Sequence, residues 1–140
     1  MERPVRVKLT HRGSLANEEN PFKRQSPNNE GKWGNCVFTF NPLEENYDWL
    51  VIIDDVAKVV PNRIELLKCP RENTIFVTTE PSSITRYGRG FAQQFHYLIT
   101  NQDAKILPHP NAFRSQTGNI WMYGEDYDTM KKMDVCYKSK

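Results

Sequence analysis

One carboxylate, Glu80, follows an apolar stretch and precedes a proline and two serines. Residues 74–79 are all β-branched or aromatic, which predicts a buried strand, and Pro81 ends it. Ser82 or Ser83 could then cap the first turn of a helix. Ligands of open α/β sheets bind at the carboxyl ends of strands. The pattern therefore predicts that Glu80 lies at a sheet edge where chemistry could occur.

Two roles for Glu80 fit this position. A carboxylate flanked by apolar residues can be partly desolvated, and it can then act as a general base that takes a proton from a hydroxyl. Alternatively, Glu80 could stabilise the start of the next helix, because the positive end of the helix dipole attracts a negative charge. The spacing alone favours the structural role, and it leaves the catalytic one open.

Several other side chains could contact a ligand. His109 lies between two prolines, which would fix its backbone and expose its ring for acid–base work, although this position favours an ordinary loop histidine. Trp33, Trp121 and Tyr123 could stack on a sugar ring, because the C–H face of a sugar suits an aromatic plane. The alternative for these aromatic residues is burial in the core.

Two acidic pairs could in principle hold a metal ion. Asp126 and Asp128 have the Asp-x-Asp spacing with which some sugar-nucleotide enzymes hold a divalent cation, and an extended backbone would place both on one side. Their charged, loop-like surroundings favour a solvated surface instead. Asp54 and Asp55 would point to opposite sides of an extended chain, so they form a poorer pair.

Length and composition indicate one globular domain. The chain has 140 residues, and its net charge of +2 is too small to indicate a nucleic-acid partner. Its 3 cysteines are widely spaced, which favours idle thiols in a reducing compartment over a zinc site. No apolar run approaches the roughly 20 residues that cross a bilayer. We therefore expect a cytoplasmic protein without a transmembrane segment, and peripheral membrane association through a longer protein stays open.

The order of predicted elements indicates the fold class. Arg6 and Lys8 alternate with apolar residues, which predicts a first strand with one solvated basic face. Residues 15–32 predict a long exposed connection, residues 61–69 a short helix, and residues 83–95 a helix that glycines could break in two. Further strands are predicted at 36–40, 47–53, 74–79, 96–100, 120–123 and 133–137. Strands separated by helical pieces indicate an α/β fold with a mostly parallel sheet and flanking helices.

Six strings carry a family resemblance: RQSPNNEGKWGNCVFTFN, YDWLVIIDD, CPRENTIFVTTEPSSITRYG, FAQQFHYLITNQ, HPN and GNIWMYG. In this order they resemble the N-terminal half of glycosyltransferase family 10, the α-1,3/1,4-fucosyltransferase family, in its bacterial form. The resemblance runs from about Arg24 to the C-terminus. It rests on the shared order of several unusual strings, which a single short motif could not establish.

The resemblance implies a GT-B architecture, in which two Rossmann-like domains face a cleft. Residues 1–140 would form a single N-terminal, acceptor-side domain, and the C-terminal domain that binds GDP-fucose would be absent from this chain. Such enzymes invert the anomeric centre in one displacement without an essential metal or other cofactor. The implied partners are a glycan acceptor and, through the second domain, a nucleotide sugar.

The resemblance also implies roles for individual residues. The family's candidate base is a glutamate just after a strand, and Glu80 occupies that place, so it would deprotonate the acceptor hydroxyl. The animal enzymes have a serine between this glutamate and the proline, whereas Pro81 follows Glu80 directly here. The implied contacts with substrate are Tyr87, His109 and Asn111 as polar groups and Trp121 or Tyr123 as a sugar platform.

Two rival functions stay open on the sequence. One is a non-catalytic glycan-binding or interaction domain that keeps the fold without the donor half. The other is a metal-dependent sugar-nucleotide transferase that uses Asp126 and Asp128.

Overall fold

A seven-stranded sheet forms the centre of the molecule. The computed structural model describes residues 3–13, 20–116 and 126–132. The strands are β1 (Val5–His11), β2 (Lys32–Trp33), β3 (Cys36–Thr39), β4 (Trp49–Ile53), β5 (Thr74–Val77), β6 (Tyr97–Thr100) and β7 (Ala112–Arg114). Their spatial order is β2-β3-β1-β4-β5-β6-β7, and every neighbouring pair is parallel except β2 with β3. The expectation of an α/β fold with a mostly parallel sheet is confirmed.

The strand register aligns the carboxyl ends of the central strands. His11 pairs with Ile53, Ile53 with Val77, and Val77 with Ile99, so four strands end at the same edge. The chain passes from β1 to β3 on one side of β1 and then returns to β4 on its other side. The strand order therefore reverses between β1 and β4. In open α/β sheets, such a reversal opens a crevice in which ligands bind.

The hydrophobic core lies on one face of the sheet. Leu50, Ile52, Phe76 and Leu98 share this face, and none is more than 1% exposed. The ring of Phe76 lies 5.3 Å from that of Phe95, centroid to centroid. Apolar burial of this kind contributes roughly 25 cal/mol per Å² of surface removed from water. This packing fixes β5, the strand that leads to Glu80.

The helices are shorter than the sequence predicts. They are α1 (Pro21–Arg24), α2 (Arg89–Ala92) and α3 (Tyr127–Lys132). The helix predicted at 61–69 is only a 3₁₀ turn, Pro61–Arg63, because Asn62 and Arg63 have φ angles of 53° and 57°, which no right-handed helix contains. The helix predicted at 83–95 is reduced to α2, and the predicted serine caps do not form because residues 82–84 make a turn. The flanking helices are therefore few and short.

The sequence predicts an exposed connection at residues 15–32, and this prediction is wrong for the second half of the segment. Asn20 is 1% exposed, and its side-chain oxygen accepts hydrogen bonds from the backbone N–H groups of Phe22 and Lys23. Pro21 occupies the first turn of α1, where its missing N–H costs nothing. A cap and a proline thus begin a helix within a stretch whose composition suggests a loop.

Two predicted strands, at 120–123 and 133–137, lie outside the described residues. Among the helices that the structure describes, none combines the length and the apolar composition that crossing a membrane requires.

The alternation in β1 predicts that Lys8 lies on a solvated basic face, and this prediction is wrong. It is 2% exposed, and its ammonium group lies 2.8 Å and 3.0 Å from the two carboxylate oxygens of Glu65. Glu65 also accepts a hydrogen bond of 3.1 Å from the Tyr47 hydroxyl. The buried charge is therefore tolerated because it has an ionic partner.

Removing the ammonium group should be costly. We expect Lys8→Met to lower the free energy of unfolding by about 3–5 kcal/mol, because it leaves the Glu65 carboxylate, which is only 12% exposed, without its counter-charge. The double variant Lys8→Met/Glu65→Leu should recover most of this loss. Urea unfolding at pH 7 measures both, and a double variant less stable than the single one would contradict the explanation.

Candidate active site

A cavity of about 420 Å³ opens at the carboxyl edge of the sheet, beside the crevice between β1 and β4. His11 and Arg12 contribute to its wall from the end of β1, Asp54 from the end of β4, and Glu80 from the loop after β5. Tyr87 closes another side from the segment before α2. The cavity therefore collects polar side chains from three neighbouring strand ends.

Asp54 connects these elements. Its carboxylate accepts hydrogen bonds from the Thr79 backbone N–H at 2.9 Å, the Thr79 hydroxyl at 2.7 Å and the Tyr87 hydroxyl at 2.5 Å. The Nε2 atom of His11 lies 3.5 Å from the same carboxylate. Asp54 has a φ of 63°, a left-handed conformation that aspartate and asparagine adopt more readily than most residues. One carboxylate thus joins the ends of β1, β4 and β5 to Tyr87.

The environment keeps Asp54 ionised. Burial by itself would raise the pKa of its carboxyl, but the hydrogen bonds from His11, Tyr87 and Thr79 outweigh burial and hold the pKa well below its ordinary value. A carboxylate with this many donors is a poor proton acceptor at neutral pH. Asp54 is therefore a positioning residue of the cavity rather than its base.

His11 is held by both ring nitrogens. The Gly13 backbone N–H donates to Nδ1 at 3.1 Å, so the neutral ring carries its hydrogen on Nε2, which faces Asp54. This tautomer has no nitrogen lone pair free to take a proton from a ligand. His11 contributes to the wall of the cavity and anchors the end of β1.

Tyr87 links Asp54 to Glu80. Burial, followed by the hydrogen bond to Asp54, raises the pKa of its hydroxyl to about 12, so the group stays protonated and donates to Asp54. The Tyr87 oxygen in turn accepts the Glu80 backbone N–H at 3.3 Å. The sequence-predicted polar contact Tyr87 therefore lies beside Glu80, where its hydroxyl holds the backbone of that residue.

Glu80 itself has a fixed backbone and an unpaired carboxylate. Its carbonyl accepts a hydrogen bond of 3.0 Å from Nε2 of Gln102, a side chain that is 2% exposed and that also binds the Thr85 carbonyl at 2.8 Å. Among the described residues, none forms a hydrogen bond or an ion pair with the Glu80 carboxylate. This half-buried carboxylate lines the cavity and can accept a proton from a bound hydroxyl.

The linking role of Tyr87 gives a stability prediction. Tyr87→Phe should lower the free energy of unfolding by about 1–2 kcal/mol, because Asp54 loses a donor and the Glu80 N–H loses its acceptor. Tyr97→Phe is the matched control, since no described residue bonds the Tyr97 hydroxyl. Urea unfolding measures both variants. If Tyr87→Phe and Tyr97→Phe lose the same free energy of unfolding, the Tyr87 hydroxyl does not hold this loop.

His109 and Asn111 lie at the opposite edge of the sheet from Glu80. The His109 Nε2 atom is 3.1 Å from the Phe95 carbonyl, and Nδ1 accepts the Asn111 backbone N–H at 3.1 Å. The Asn111 side chain donates to the His96 carbonyl at 3.0 Å. These bonds join the amino ends of β6 and β7. The structure therefore does not bring His109 and Asn111 to the cavity.

Of the remaining aromatic candidates, only Trp33 belongs to the described residues, and it does not line the cavity. Trp121 and Tyr123 lie outside the described residues. Trp33 is 50% exposed on β2, and its ring packs edge to face on Tyr127 at 4.9 Å between centroids. It lines a separate apolar pocket that includes Phe22 and Phe38.

Asp126 and Asp128 serve the fold. Asp126 accepts the Thr129 backbone N–H at 2.8 Å and the Asn29 side chain at 3.1 Å, and these bonds lower its pKa to about 2. Asp128 accepts the Asn28 backbone N–H at 2.6 Å. Both carboxylates therefore join the start of α3 to the turn at 27–29. Within residues 3–13, 20–116 and 126–132, no group of at least 3 His, Cys, Asp or Glu side chains could hold a metal ion.

Sequence reasoning did not find Asp54, His11 or Thr79 as members of the site. The signal for Asp54 was present, because it follows a buried strand just as Glu80 does. His11 and Thr79 gave no comparable signal, since their roles depend on strand order. That order makes β1 and β5 the two neighbours of β4.

Comparison of the chain with protein-family models, with curated proteins and with solved structures gives no match. What the chain does must therefore be argued from its sequence and from the geometry of this cavity.

Proposed function

We propose that this chain is the acceptor-side domain of an inverting, metal-independent glycosyltransferase that transfers fucose from GDP-fucose to a glycan hydroxyl. The observation that carries the proposal is the Glu80 carboxylate, which no described residue pairs, in a cavity at the strand-order reversal and on a backbone held by Tyr87 and Gln102. The sequence resemblance supports the same residue as the base.

The chemistry assigned to Glu80 is proton removal. An acceptor hydroxyl bound in the cavity gives its proton to the carboxylate while its oxygen forms the bond to the anomeric carbon of fucose. The bond between that carbon and the GDP oxygen breaks, and GDP leaves as an anion. Attack from the side opposite GDP inverts the anomeric centre. Asp54 and Tyr87 keep Glu80 in place during this step.

The strand order supports a Rossmann-like half of a GT-B enzyme. Without β2 and β7, the order β3-β1-β4-β5-β6 is that of the doubly wound 2-1-3-4-5 sheet. In the proposed enzyme, a second, C-terminal domain supplies GDP-fucose across the cleft. Within the part of the chain that the structure describes, Cys36 and Cys69 are free thiols, which supports a reducing compartment such as the cytoplasm.

A transfer assay tests the proposal. The chain is combined with a GDP-fucose-binding C-terminal domain of the same enzyme class, in one polypeptide, and incubated with GDP-fucose and N-acetyllactosamine. We expect a β-linked donor to give an α-linked product at an unchanged rate in the presence of a chelator. Acceptor binding without any transfer would identify a non-catalytic glycan-binding domain instead, and loss of transfer with the chelator would favour a metal-dependent enzyme.

A further inference from the structure

Five large apolar side chains are exposed on the two connections that lead into β4 and into β5. Leu66 is 72% exposed, and the other four are between 45% and 61% exposed. Three of the five line an open groove of about 410 Å³, together with the buried Lys8. We name this set the Leu66 patch, and its members are Leu43, Val59, Ile64, Leu66 and Leu67. No described residue lines both this groove and the Glu80 cavity, so the patch is a separate surface.

The side chains of residues 64–66 alternate in the opposite sense to those of an ordinary surface strand. The backbone is extended at Ile64, with a φ of −112° and a ψ of 112°. Glu65 pairs with the buried ammonium group of Lys8, whereas Ile64 and Leu66 are 61% and 72% exposed. An extended surface segment usually turns its apolar side chains to the core and its charged ones to water. Here the ion pair on the inner side keeps the apolar side chains on the outer side.

The backbone of this segment is unpaired as well. Within the part of the chain that the structure describes, the N–H and C=O groups of residues 65–67 form no hydrogen bond. The flanking N–H groups do form one, since Ile64 donates to the Pro61 carbonyl and Lys68 to the Tyr47 hydroxyl. Unpaired backbone groups in an exposed extended segment are a template for pairing with another strand. The segment therefore offers a second chain both main-chain hydrogen bonds and apolar contacts.

Charged side chains around the patch are paired within the chain. Lys68 forms an ion pair of 3.1 Å with Glu45, and Arg63 forms one with Asp55. Because these charges cancel, the surface has little net field that would attract a nucleic acid or an anionic membrane. A surface without net charge also does not repel a second copy of itself, which a two-fold symmetric contact requires.

We infer that the Leu66 patch is the contact surface of a two-fold symmetric dimer of this chain, in which residues 64–67 of the two copies pair as antiparallel strands. A specific interface buries about 800 Å² per partner, of which roughly 500 Å² is apolar. The five side chains of the patch, each exposed by about half or more, together present an apolar area of this order. The inference does not depend on the proposed function, because the patch and the Glu80 cavity are separate.

Sedimentation equilibrium of the 140-residue chain tests the inference. We expect the mass to rise from 16.4 kDa towards twice that value between about 1 and 200 µM protein, with a dissociation constant on the order of 10 µM. A mass that stays at 16.4 kDa over this range overturns the inference.

Hydrogen exchange tests the strand pairing itself. At least one amide among residues 65–67 should exchange about 10-fold more slowly in the dimer, because it gains a hydrogen bond only there. A dimer in which none of these amides is slowed overturns the inference.

Leu66→Asp assigns the contact to the patch. We expect this variant to raise the dissociation constant by about 100-fold or more, because two-fold symmetry brings two new carboxylates into one apolar interface. Ile84→Asp is the matched control, since Ile84 is 70% exposed and lines neither the groove nor the cavity. Both replaced side chains are exposed, so both variants should stay folded, which circular dichroism checks. An unchanged dissociation constant in Leu66→Asp, or an equal increase in Ile84→Asp, overturns the inference.

Vesicles distinguish a second copy from a lipid surface as the occupant of the patch. The chain is sedimented with phosphatidylcholine vesicles that contain or lack phosphatidylserine, and we expect it to stay in the supernatant in both cases. Vesicle binding that Leu66→Asp abolishes and Ile84→Asp retains would assign the patch to a membrane and overturn the inference.

Discussion

Glu80→Gln is expected to reduce kcat for fucose transfer by about 10²–10⁴-fold, the usual contribution of a general base. The assay uses the polypeptide in which this chain is joined to a GDP-fucose-binding domain. Glutamine keeps the shape of the side chain but cannot take a proton from the acceptor hydroxyl. The Glu80 carboxylate has no described hydrogen-bond partner, so its replacement should leave stability within about 0.5 kcal/mol of the original.

Glu72→Gln is the matched control for this variant. Glu72 is an exposed glutamate that lies just before the amino end of β5, whereas Glu80 follows its carboxyl end. We expect the Glu72 variant to retain full activity, and both variants to bind the acceptor within about threefold of the original affinity. Near-normal turnover in Glu80→Gln would exclude Glu80 as the base.

Asp54→Asn should produce the largest stability change at the cavity. We expect it to lower the free energy of unfolding by about 2–3 kcal/mol at pH 7, because Thr79, Tyr87 and His11 contact both oxygens of the ionised carboxylate, whereas asparagine is neutral and keeps only one accepting oxygen. Asparagine also adopts the left-handed backbone at this position, so the substitution tests the charge without adding strain. The matched control is Asp55→Asn, which removes a partly exposed ion pair and should cost less than about 1 kcal/mol.

The contribution of Asp54 to the free energy of unfolding should decrease as the pH is lowered. Its folded-state pKa is lowered from the ordinary value of 3.8, so its stabilising contribution is fully present above that value and is lost as the pH falls below it. The stability difference between the original chain and Asp54→Asn should therefore be constant from pH 5 to 7 and shrink below pH 4. A difference that grows on acidification would contradict the assigned direction of the pKa shift.

Strands could be predicted where the pattern of apolar side chains alone determines the secondary structure. The continuous apolar run 47–53 predicted a buried central strand, and the structure has β4 at Trp49–Ile53 between β1 and β5. β7 was missed, because its three residues follow two prolines and become a strand only by pairing with β6. The prediction of a helix at 61–69 was wrong because Asn62 and Arg63 have left-handed backbone conformations, which end a helix. The spacing of apolar residues carries no information on such backbone conformations.

The candidate site was predictable in part. The strand-end rule predicted Glu80 at the carboxyl edge, and the structure places it in a cavity there. The rule could not show that Asp54 would hold Tyr87 and His11, since those contacts depend on the spatial order of the strands. For the same reason, His109 and Asn111 seemed equivalent to Tyr87 in sequence, although they lie at the amino ends of β6 and β7.

An amide NMR titration of the isolated chain tests the acceptor-side assignment most directly. Labelled chain is titrated separately with N-acetyllactosamine, with its 3′-sialylated form and with GDP-fucose. We predict that a saccharide shifts the amide signals of Thr79, Glu80, Thr85, Tyr87 and Gly88, which line the cavity, and that GDP-fucose leaves them unchanged. Shifts of these signals with GDP-fucose, or saccharide shifts confined to other parts of the sheet, would contradict the assignment of this cavity to the acceptor.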